Sequence, residues 1–217
     1  MEETIAGPTL VQRAIRSTLL PVASAAPVPH RLALGMLLRD NALELERDAW
    51  GRLWDLGEAP RYAVVRDYCE RFGGQEPAVL DVGCAQGILR CNLRYGTYAG
   101  IDLSEHAIAR AQAGEDDRTT FTVADAATYV PARAFDVIVF NECLYYLRDP
   151  VAAAERYVEH LAPGGVIVIS MFDRLWAMRR LLRRLRVLGP VEAEAQIANG
   201  QGARWTVRVH RPAGPAA

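Results

Sequence analysis

The sequence contains no lysine, because all 25 of its basic residues are arginine. Lysine is therefore excluded both as a Schiff-base residue and as a phosphate ligand. The 26 acidic residues leave a formal net charge of −1, which predicts no general attraction to nucleic acid or to an anionic membrane. The sequence also lacks any apolar run of the roughly 20 residues that a transmembrane helix needs.

Cysteine is scarce as well. The four cysteines are Cys69, Cys84, Cys91 and Cys143. None of them form a CxxC pair, and no histidine stands at zinc-ligand spacing from them, so we expect no metal site. We expect reduced thiols in the core or loops of a cytoplasmic protein. A secretory signal is not expected, because acidic residues at positions 2 and 3 replace its positively charged start.

Apolar sequence is abundant. A chain of 217 residues with 51% hydrophobic residues can bury the core of one α/β domain. Residues 1–60 combine helical spacing of apolar residues with irregular segments, and we expect them to form a lid or a substrate wall. Residues 61–211 alternate short β-rich runs with helical segments and are predicted to form the main domain, which leaves residues 212–217 as a tail.

Seven strands are predicted in the main domain. Five are short apolar runs, at Ala78–Val82, Tyr98–Leu103, Thr120–Asp125, Phe135–Asn141 and Val166–Met171. The last two alternate apolar and polar residues around a glycine-containing turn, at Val191–Ile197 and Trp205–Val209. With right-handed crossovers, this order predicts an α/β fold with a doubly wound, mostly parallel seven-stranded sheet. We expect helices on both faces and an antiparallel hairpin at the C-terminal end.

Helices are predicted over Tyr62–Phe72, Gln86–Leu93 and Val151–Leu161, and also after Ser104, which is a good N-cap. An apolar stripe after the fifth strand predicts one more helix. Its other face carries Arg179, Arg180, Arg183 and Arg184. This cluster could contact a phosphate or a membrane, but we expect a solvated helix face.

Polar residues or glycines stand at the ends of the first four strands. They are Asp81, Gly83 and Gly87 at the first strand, Asp102 at the second, Asp125 at the third, and Asn141 and Glu142 at the fourth. Ligands of doubly wound sheets bind at these strand ends, and an acid after the second strand can accept ribose hydroxyls. We therefore predict a nucleoside-type ligand. The glycine spacing does not fit the dinucleotide pattern GxGxxG, and an acid beside the turn favours a cationic ligand.

The segment AVLDVGCAQGILR resembles the first motif of the class I S-adenosylmethionine-dependent methyltransferases, roughly (D/E)xGxGxG. Their other motifs resemble YAGIDLSEHAI, FTVADAATY, FDVIVFNECLYYLRDP and LAPGGVIVIS of this sequence. The resemblance covers about residues 60–210 and implies S-adenosylmethionine as the cofactor. Ala85 departs from the pattern, because it stands where the middle glycine is usual.

The resemblance also implies residue roles. Asp81, Gly83, Cys84 and Gly87 would shape the methionine end of the cofactor site. Asp102 and Leu103 would hold the ribose and one adenine face, Asp125 and Ala126 would bound the adenine amine, and Asn141 would lie near the sulfonium. Candidate catalytic residues are Glu142, Tyr145 and Tyr146. Glu142 could be a general base, could bind an amine acceptor, or could only hydrogen-bond its neighbours.

The expected acceptor is a small molecule of specialised-metabolite or surface-sugar biosynthesis, with an O or N atom to be methylated. Candidate substrate liners are Trp50, Trp54, Arg61 and Tyr62. A homodimer is possible, and no nucleic-acid or membrane partner is expected. Three alternatives stay open: a methyltransferase acting on RNA or protein, a non-catalytic cofactor-binding protein, and a nicotinamide-dependent oxidoreductase.

Overall fold

The computed structural model describes residues 57–173, 176–200 and 202–213. Its α-helices are α1 (Ala59–Gly73), α2 (Glu105–Gln112), α3 (Pro150–Val158) and α4 (Trp176–Arg184). Its strands are β1 (Ala78–Val82), β2 (Thr97–Asp102), β3 (Thr119–Val123), β4 (Phe135–Asn141), β5 (Leu161–Phe172), β6 (Val191–Ala198) and β7 (Arg204–His210). Short 3₁₀ turns follow β1, β4 and α4.

The seven strands form one sheet in the order β3-β2-β1-β4-β5-β7-β6. The first five are parallel to one another, and β7 pairs antiparallel with both β5 and β6. The chain runs outward from β1 to β3 and then returns to the other side of β1 to form β4. This reversal opens a crevice at the carboxyl ends of β1 and β4. The predicted doubly wound sheet with its C-terminal hairpin is confirmed.

Helices cover both faces of the sheet. On one face, Tyr157 of α3 and Leu181 of α4 belong to a buried cluster with Ile138 of β4. On the other face, Val65 of α1 and Ile108 of α2 join a second buried cluster. Because β4 has buried side chains on both sides, it forms the centre of the domain, as its uninterrupted apolar sequence predicts.

One predicted helix is wrong. The segment Gln86–Leu93 forms only a 3₁₀ turn over Ile88–Arg90, because Gly87 (φ 72°) and Asn92 (φ 62°) both adopt left-handed backbone conformations. The carbonyls of the turn bind a side chain instead, since Arg66 of α1 donates to the backbone oxygens of Ile88 and Leu89 at 3.0 and 3.1 Å. The turn is thereby tied to α1.

The ends of several other elements also differ from prediction, among them β5 and α3. The strand β5 starts at Leu161 instead of Val166, because Leu161 pairs with Phe135 ahead of a register shift in the β4–β5 ladder. The helix α3 consequently ends at Val158, before the predicted end at Leu161. The longer β5 extends the sheet at the start of β4, on the edge opposite the crevice.

The predicted N-terminal lid lies outside the described residues up to position 56, and so do its candidate liners Trp50 and Trp54. Helix α1 begins at Ala59, so it spans the predicted boundary between residues 60 and 61. Within the described residues, no helix is both long and apolar enough to cross a membrane.

Candidate functional site

A cavity of about 340 Å³ opens at the carboxyl ends of β1, β2, β3 and β4. Ten of the residues predicted to form the site line it: Asp81, Gly83, Cys84, Asp102, Leu103, Asp125, Ala126, Asn141, Glu142 and Tyr146. The candidate liners Arg61 and Tyr62 also line it. Gly87 and Tyr145 are not among the described residues that form its wall. The strand ends therefore bring most of the predicted residues to one place.

Asp81, near the end of β1, is a buried carboxyl group with only 2% of its surface exposed. Its Oδ2 accepts a hydrogen bond of 2.5 Å from the hydroxyl of Tyr98, while its Oδ1 is buried without a hydrogen-bond partner among the described residues. Burial raises the pKa of Asp81 to about 7, and the nearby Asp102 carboxylate adds to this increase. The unpaired oxygen can therefore accept a hydrogen bond from a cationic group placed in the cavity.

The two glycines of the turn after β1 are required by packing within the protein. Both adopt left-handed conformations, with φ 73° at Gly83 and 72° at Gly87. A Cβ on Gly83 would lie 2.5 Å from Cβ of Cys143, and one on Gly87 would lie 2.6 Å from the Phe121 ring. Contacts with protein side chains therefore already require glycine at both positions.

Between these glycines, Ala85 also adopts a left-handed conformation, with φ 48°. Its backbone N–H donates a hydrogen bond of 2.9 Å to Oδ2 of Asp102. The N–H of Ser104 donates to the other carboxylate oxygen, also at 2.9 Å. Burial raises the pKa of Asp102, and these backbone donors oppose the increase. Two backbone contacts thus fix the Asp102 carboxylate in the cavity wall, with lone pairs left on both oxygens.

The far side of the cavity combines an exposed apolar side chain with a tight turn. Leu103 has 62% of its surface exposed although it is large and apolar. Oδ1 of Asp125 accepts a hydrogen bond of 2.8 Å from the N–H of Ala127, which closes the turn after β3. The carbonyl of Ala126 accepts a hydrogen bond of 3.1 Å from the Tyr157 hydroxyl, so this wall is anchored to α3. The arrangement leaves an apolar surface beside polar groups.

Glu142 follows β4 in a left-handed conformation, with φ 63°. Its Oε2 accepts hydrogen bonds from the Tyr145 hydroxyl at 2.9 Å and from the Phe172 N–H at 3.2 Å, and its Oε1 accepts one from Ser170 at 3.2 Å. Burial raises the pKa of Glu142, whereas Arg61 opposes this change. The carboxylate thus ties the end of β4 to β5 while it lines the cavity.

The adjacent tyrosines have different surroundings. The ring of Tyr145 is buried in the core and only its hydroxyl reaches Glu142. Tyr146 lines the cavity, with its ring centroid 4.5 Å from that of Tyr145. Of the pair, Tyr146 is therefore the residue that a bound molecule can contact.

Arg61 of α1 is 1% exposed and lies against the strand ends. Its Nη1 donates to Oδ1 of Asn141, and its Nη2 pairs with Glu58 at 2.8 Å. Its guanidinium lies 4.4 Å from the centre of the Tyr62 ring. The sequence singled out Arg61 only as a substrate liner and carried no sign of the contact with Asn141, which is 80 positions away. Sequence reasoning also missed the lining residues Ala124, Leu147 and Arg148.

Comparisons with known proteins agree with this architecture. A family model described as a methyltransferase domain matches residues 57–204. Trans-aconitate 2-methyltransferase from Methylobacterium radiotolerans is 34% identical over 116 residues, covering 51% of this chain and 44% of that protein. Ubiquinone biosynthesis O-methyltransferase from Pseudomonas savastanoi pv. phaseolicola is 33% identical over 113 residues, covering 48% of each. The chain thus spans less than half the length of these two relatives.

Among solved structures, the N-methyltransferase NodS from Bradyrhizobium japonicum WM9, in complex with S-adenosyl-L-homocysteine, matches with a TM-score of 0.67 and 26% identity. That match covers 79% of this chain and 97% of NodS. The glycopeptide N-methyltransferase MtfA matches at 17% identity with a TM-score of 0.56, over 70% of this chain and 90% of MtfA, and shares the fold.

Proposed function

Because the chain belongs to the methyltransferase domain family, we propose that it transfers a methyl group from S-adenosylmethionine to an oxygen or nitrogen atom of a small molecule. This membership confirms the family predicted from the sequence, the class I S-adenosylmethionine-dependent methyltransferases. The observation that carries the proposal is the single cavity lined by residues from four neighbouring strand ends, among them Asp81, Asp102, Asp125 and Asn141. A nucleoside with a charged amino-acid tail needs such a set of polar groups.

The methionine end of the cofactor has charges that two buried residues of the cavity wall, Asp81 and Arg61, complement. The buried, unpaired Oδ1 of Asp81 suits the ammonium group. Arg61 supplies a buried positive charge for the carboxylate group, and Gly83 and Cys84 form the wall between them. When bound, S-adenosylmethionine supplies a methyl group on a positively charged sulfur. Asn141 would lie near that sulfur and is held in place by Arg61.

The nucleoside end fits the outer part of the cavity. Asp102 can also accept hydrogen bonds from the ribose hydroxyls, because a carboxylate has about four lone-pair sites and the backbone donors of Ala85 and Ser104 occupy only some of them. The exposed side chain of Leu103 would be covered by the adenine ring, which explains a large apolar residue at the surface. Asp125 and Ala126 lie where they can contact the adenine amine. Gly87 supports the turn from outside the cavity wall.

At the reacting end, Glu142 and Tyr146 would face the acceptor. Glu142 can take a proton from an acceptor hydroxyl or hold a protonated amine, and burial favours the first role by raising its pKa. Tyr145 donates a hydrogen bond to Glu142 and is therefore a positioning residue. Tyr146 would form the aromatic wall beside the methyl group. Alignment of the acceptor and exclusion of water would provide most of the rate enhancement.

A small-molecule acceptor is supported by the names of the relatives. The cavity of about 340 Å³ lies within the range for small-molecule sites, roughly 300–1,000 Å³, but most of its lining is assigned to the cofactor. The two relatives named above are a trans-aconitate and a ubiquinone-biosynthesis methyltransferase. The pathway, the cytoplasmic location, the possible homodimer and the lid formed by residues 1–60 stay predictions.

Calorimetric titration tests the cofactor, with S-adenosylmethionine, S-adenosylhomocysteine and a nicotinamide dinucleotide as separate ligands. We expect micromolar binding of the first two and none of the third. Asp102→Ala should weaken binding, whereas Asp117→Ala, which removes an exposed acid outside the cavity, should not. Failure of both S-adenosyl ligands to bind would overturn the proposal. Binding without turnover on a broad panel of O- and N-acceptors would favour the non-catalytic alternative.

A further inference from the structure

Helix α4 and the 3₁₀ turn that follows it carry an unusual concentration of positive charge. Residues 176–188 contain five arginines and no acidic residue. All five are exposed, and we call them the basic face: Arg179, Arg180, Arg183, Arg184 and Arg186. The whole chain has a net charge of −1, so this face differs sharply from the average.

The basic face is fixed outward by the packing of the helix. The opposite side of α4 buries Met178, Leu181 and Leu182 in the core between the helices and the sheet. Turning the arginines inward would require those apolar side chains to leave the core for water, which is unfavourable. The arginines therefore stay at the surface as a fixed array of charges.

Acidic side chains of the described residues form no ion pairs with this array. Two exposed arginines elsewhere on the surface do have acidic partners: Arg71 pairs with Asp67 at 3.3 Å and Arg94 pairs with Glu70 at 3.2 Å. Within the described residues, no ion pair joins any arginine of the basic face to an acid. The charge of the face is thus available to an anionic partner.

Exposed apolar residues flank the basic face and indicate the kind of partner. Trp176 at the start of α4 is 43% exposed, and Val187 in the following turn is 59% exposed. The guanidinium of Arg180 lies 5.5 Å from the Trp176 ring centre. Tryptophan and arginine side by side are typical of surfaces at the level of lipid headgroups. We propose that the basic face docks the protein on a membrane that contains anionic phospholipids.

Docking is separate from the proposed methyl transfer, because no residue of the basic face lines the cavity. The proposed docking departs from the prediction, made from the net charge of −1, that the protein is not attracted to anionic membranes. At physiological salt, charges more than about 8–10 Å from a contact are largely screened, so a membrane surface responds to the charges local to the contact and not to the net charge of the chain. Five adjacent arginines are within the range of basic clusters that bind anionic headgroups.

Vesicle co-sedimentation of the full chain tests the proposal. The vesicles are phosphatidylcholine alone, or phosphatidylcholine with about one third phosphatidylglycerol. We expect binding to the second kind only, with loss at high salt. Each arginine near an anionic surface contributes about fivefold in affinity, so Arg183→Gln/Arg184→Gln should weaken binding about 25-fold. The matched control Arg71→Gln/Arg94→Gln removes the same charge from another exposed surface and should bind as the parent does.

Cofactor binding and thermal unfolding, measured on both double variants, would show that each is folded. If the parent chain does not bind anionic vesicles at low salt, the proposal is wrong. Equal loss in the two double variants would also refute it, because attraction would then depend on total charge. Binding to a single-stranded RNA homopolymer without binding to vesicles would overturn it in favour of a nucleic-acid surface.

Discussion

The left-handed backbone of Ala85 provides a quantitative test of the turn that supports the cavity. An alanine at φ 48° costs about 1–2 kcal/mol relative to an ordinary conformation, because its Cβ crowds the following carbonyl. Glycine avoids this cost but makes the unfolded chain more flexible, which opposes the gain by about 0.4–1 kcal/mol. We therefore expect Ala85→Gly to stabilise the protein by about 0.5–1 kcal/mol.

For a chain of this size, that gain corresponds to a rise in Tm of about 1–4 °C, measured by calorimetry or circular dichroism. Cofactor affinity should be retained, because the N–H that Asp102 accepts is a backbone group. The matched control is Ala109→Gly in the exposed part of α2, where the same change should destabilise by about 1 kcal/mol. A loss of stability in both variants would refute the reasoning, since Ala85 would then carry no strain.

Three further predictions concern the cavity. Asp102→Ala should weaken S-adenosylmethionine binding by about 1.5–3 kcal/mol, roughly 10- to 150-fold, and an unchanged dissociation constant would remove Asp102 from the site. Because burial raises the pKa of Asp81 to about 7, cofactor affinity should increase from pH 6 to pH 7.5 as the carboxylate ionises, and Asp81→Asn should abolish this dependence. Cofactor affinity of the parent protein that does not change between pH 6 and pH 7.5 would contradict this prediction. Glu142→Gln should reduce turnover more than cofactor affinity, whereas equal losses would assign Glu142 to the cofactor.

The sequence predicts the strands well because burial leaves a direct pattern in them. The bounds of β1 and β4 agree with prediction to the residue, since both are apolar runs that end at a polar residue or a glycine turn. The helix predicted after β1 fails because apolar residues alone do not show that Asn92 adopts a left-handed conformation. Local backbone conformations of this kind depend on contacts with distant elements, such as the hydrogen bonds from Arg66.

In the candidate site, too, features that leave a local sequence pattern could be predicted, whereas features that depend on contacts between distant elements could not. The position of Asp102 and Asp125 could be predicted, because parallel strands all end at one edge of the sheet. The contact between Arg61 and Asn141 could not, because it depends on how α1 packs over the strand ends. The different surroundings of Tyr145 and Tyr146 also escaped prediction, since the residues after β4 form a 3₁₀ turn whose orientation the spacing of two adjacent residues does not define.

All the described residues that line the cavity lie between Arg61 and Arg148, so the described part of the hairpin at the C-terminal edge of the sheet contributes none of them. A ligand in the cavity therefore contacts only the first part of the domain directly, and not β6 or β7. Changes in β6 and β7 reach it indirectly, through Trp205, whose ring centre lies 5.9 Å from the Arg61 guanidinium. They also reach it through β5, which pairs with β7 and hydrogen-bonds Glu142. Substitutions at the outer edge of the sheet can therefore change the pocket only by way of these neighbours, Trp205 and β5.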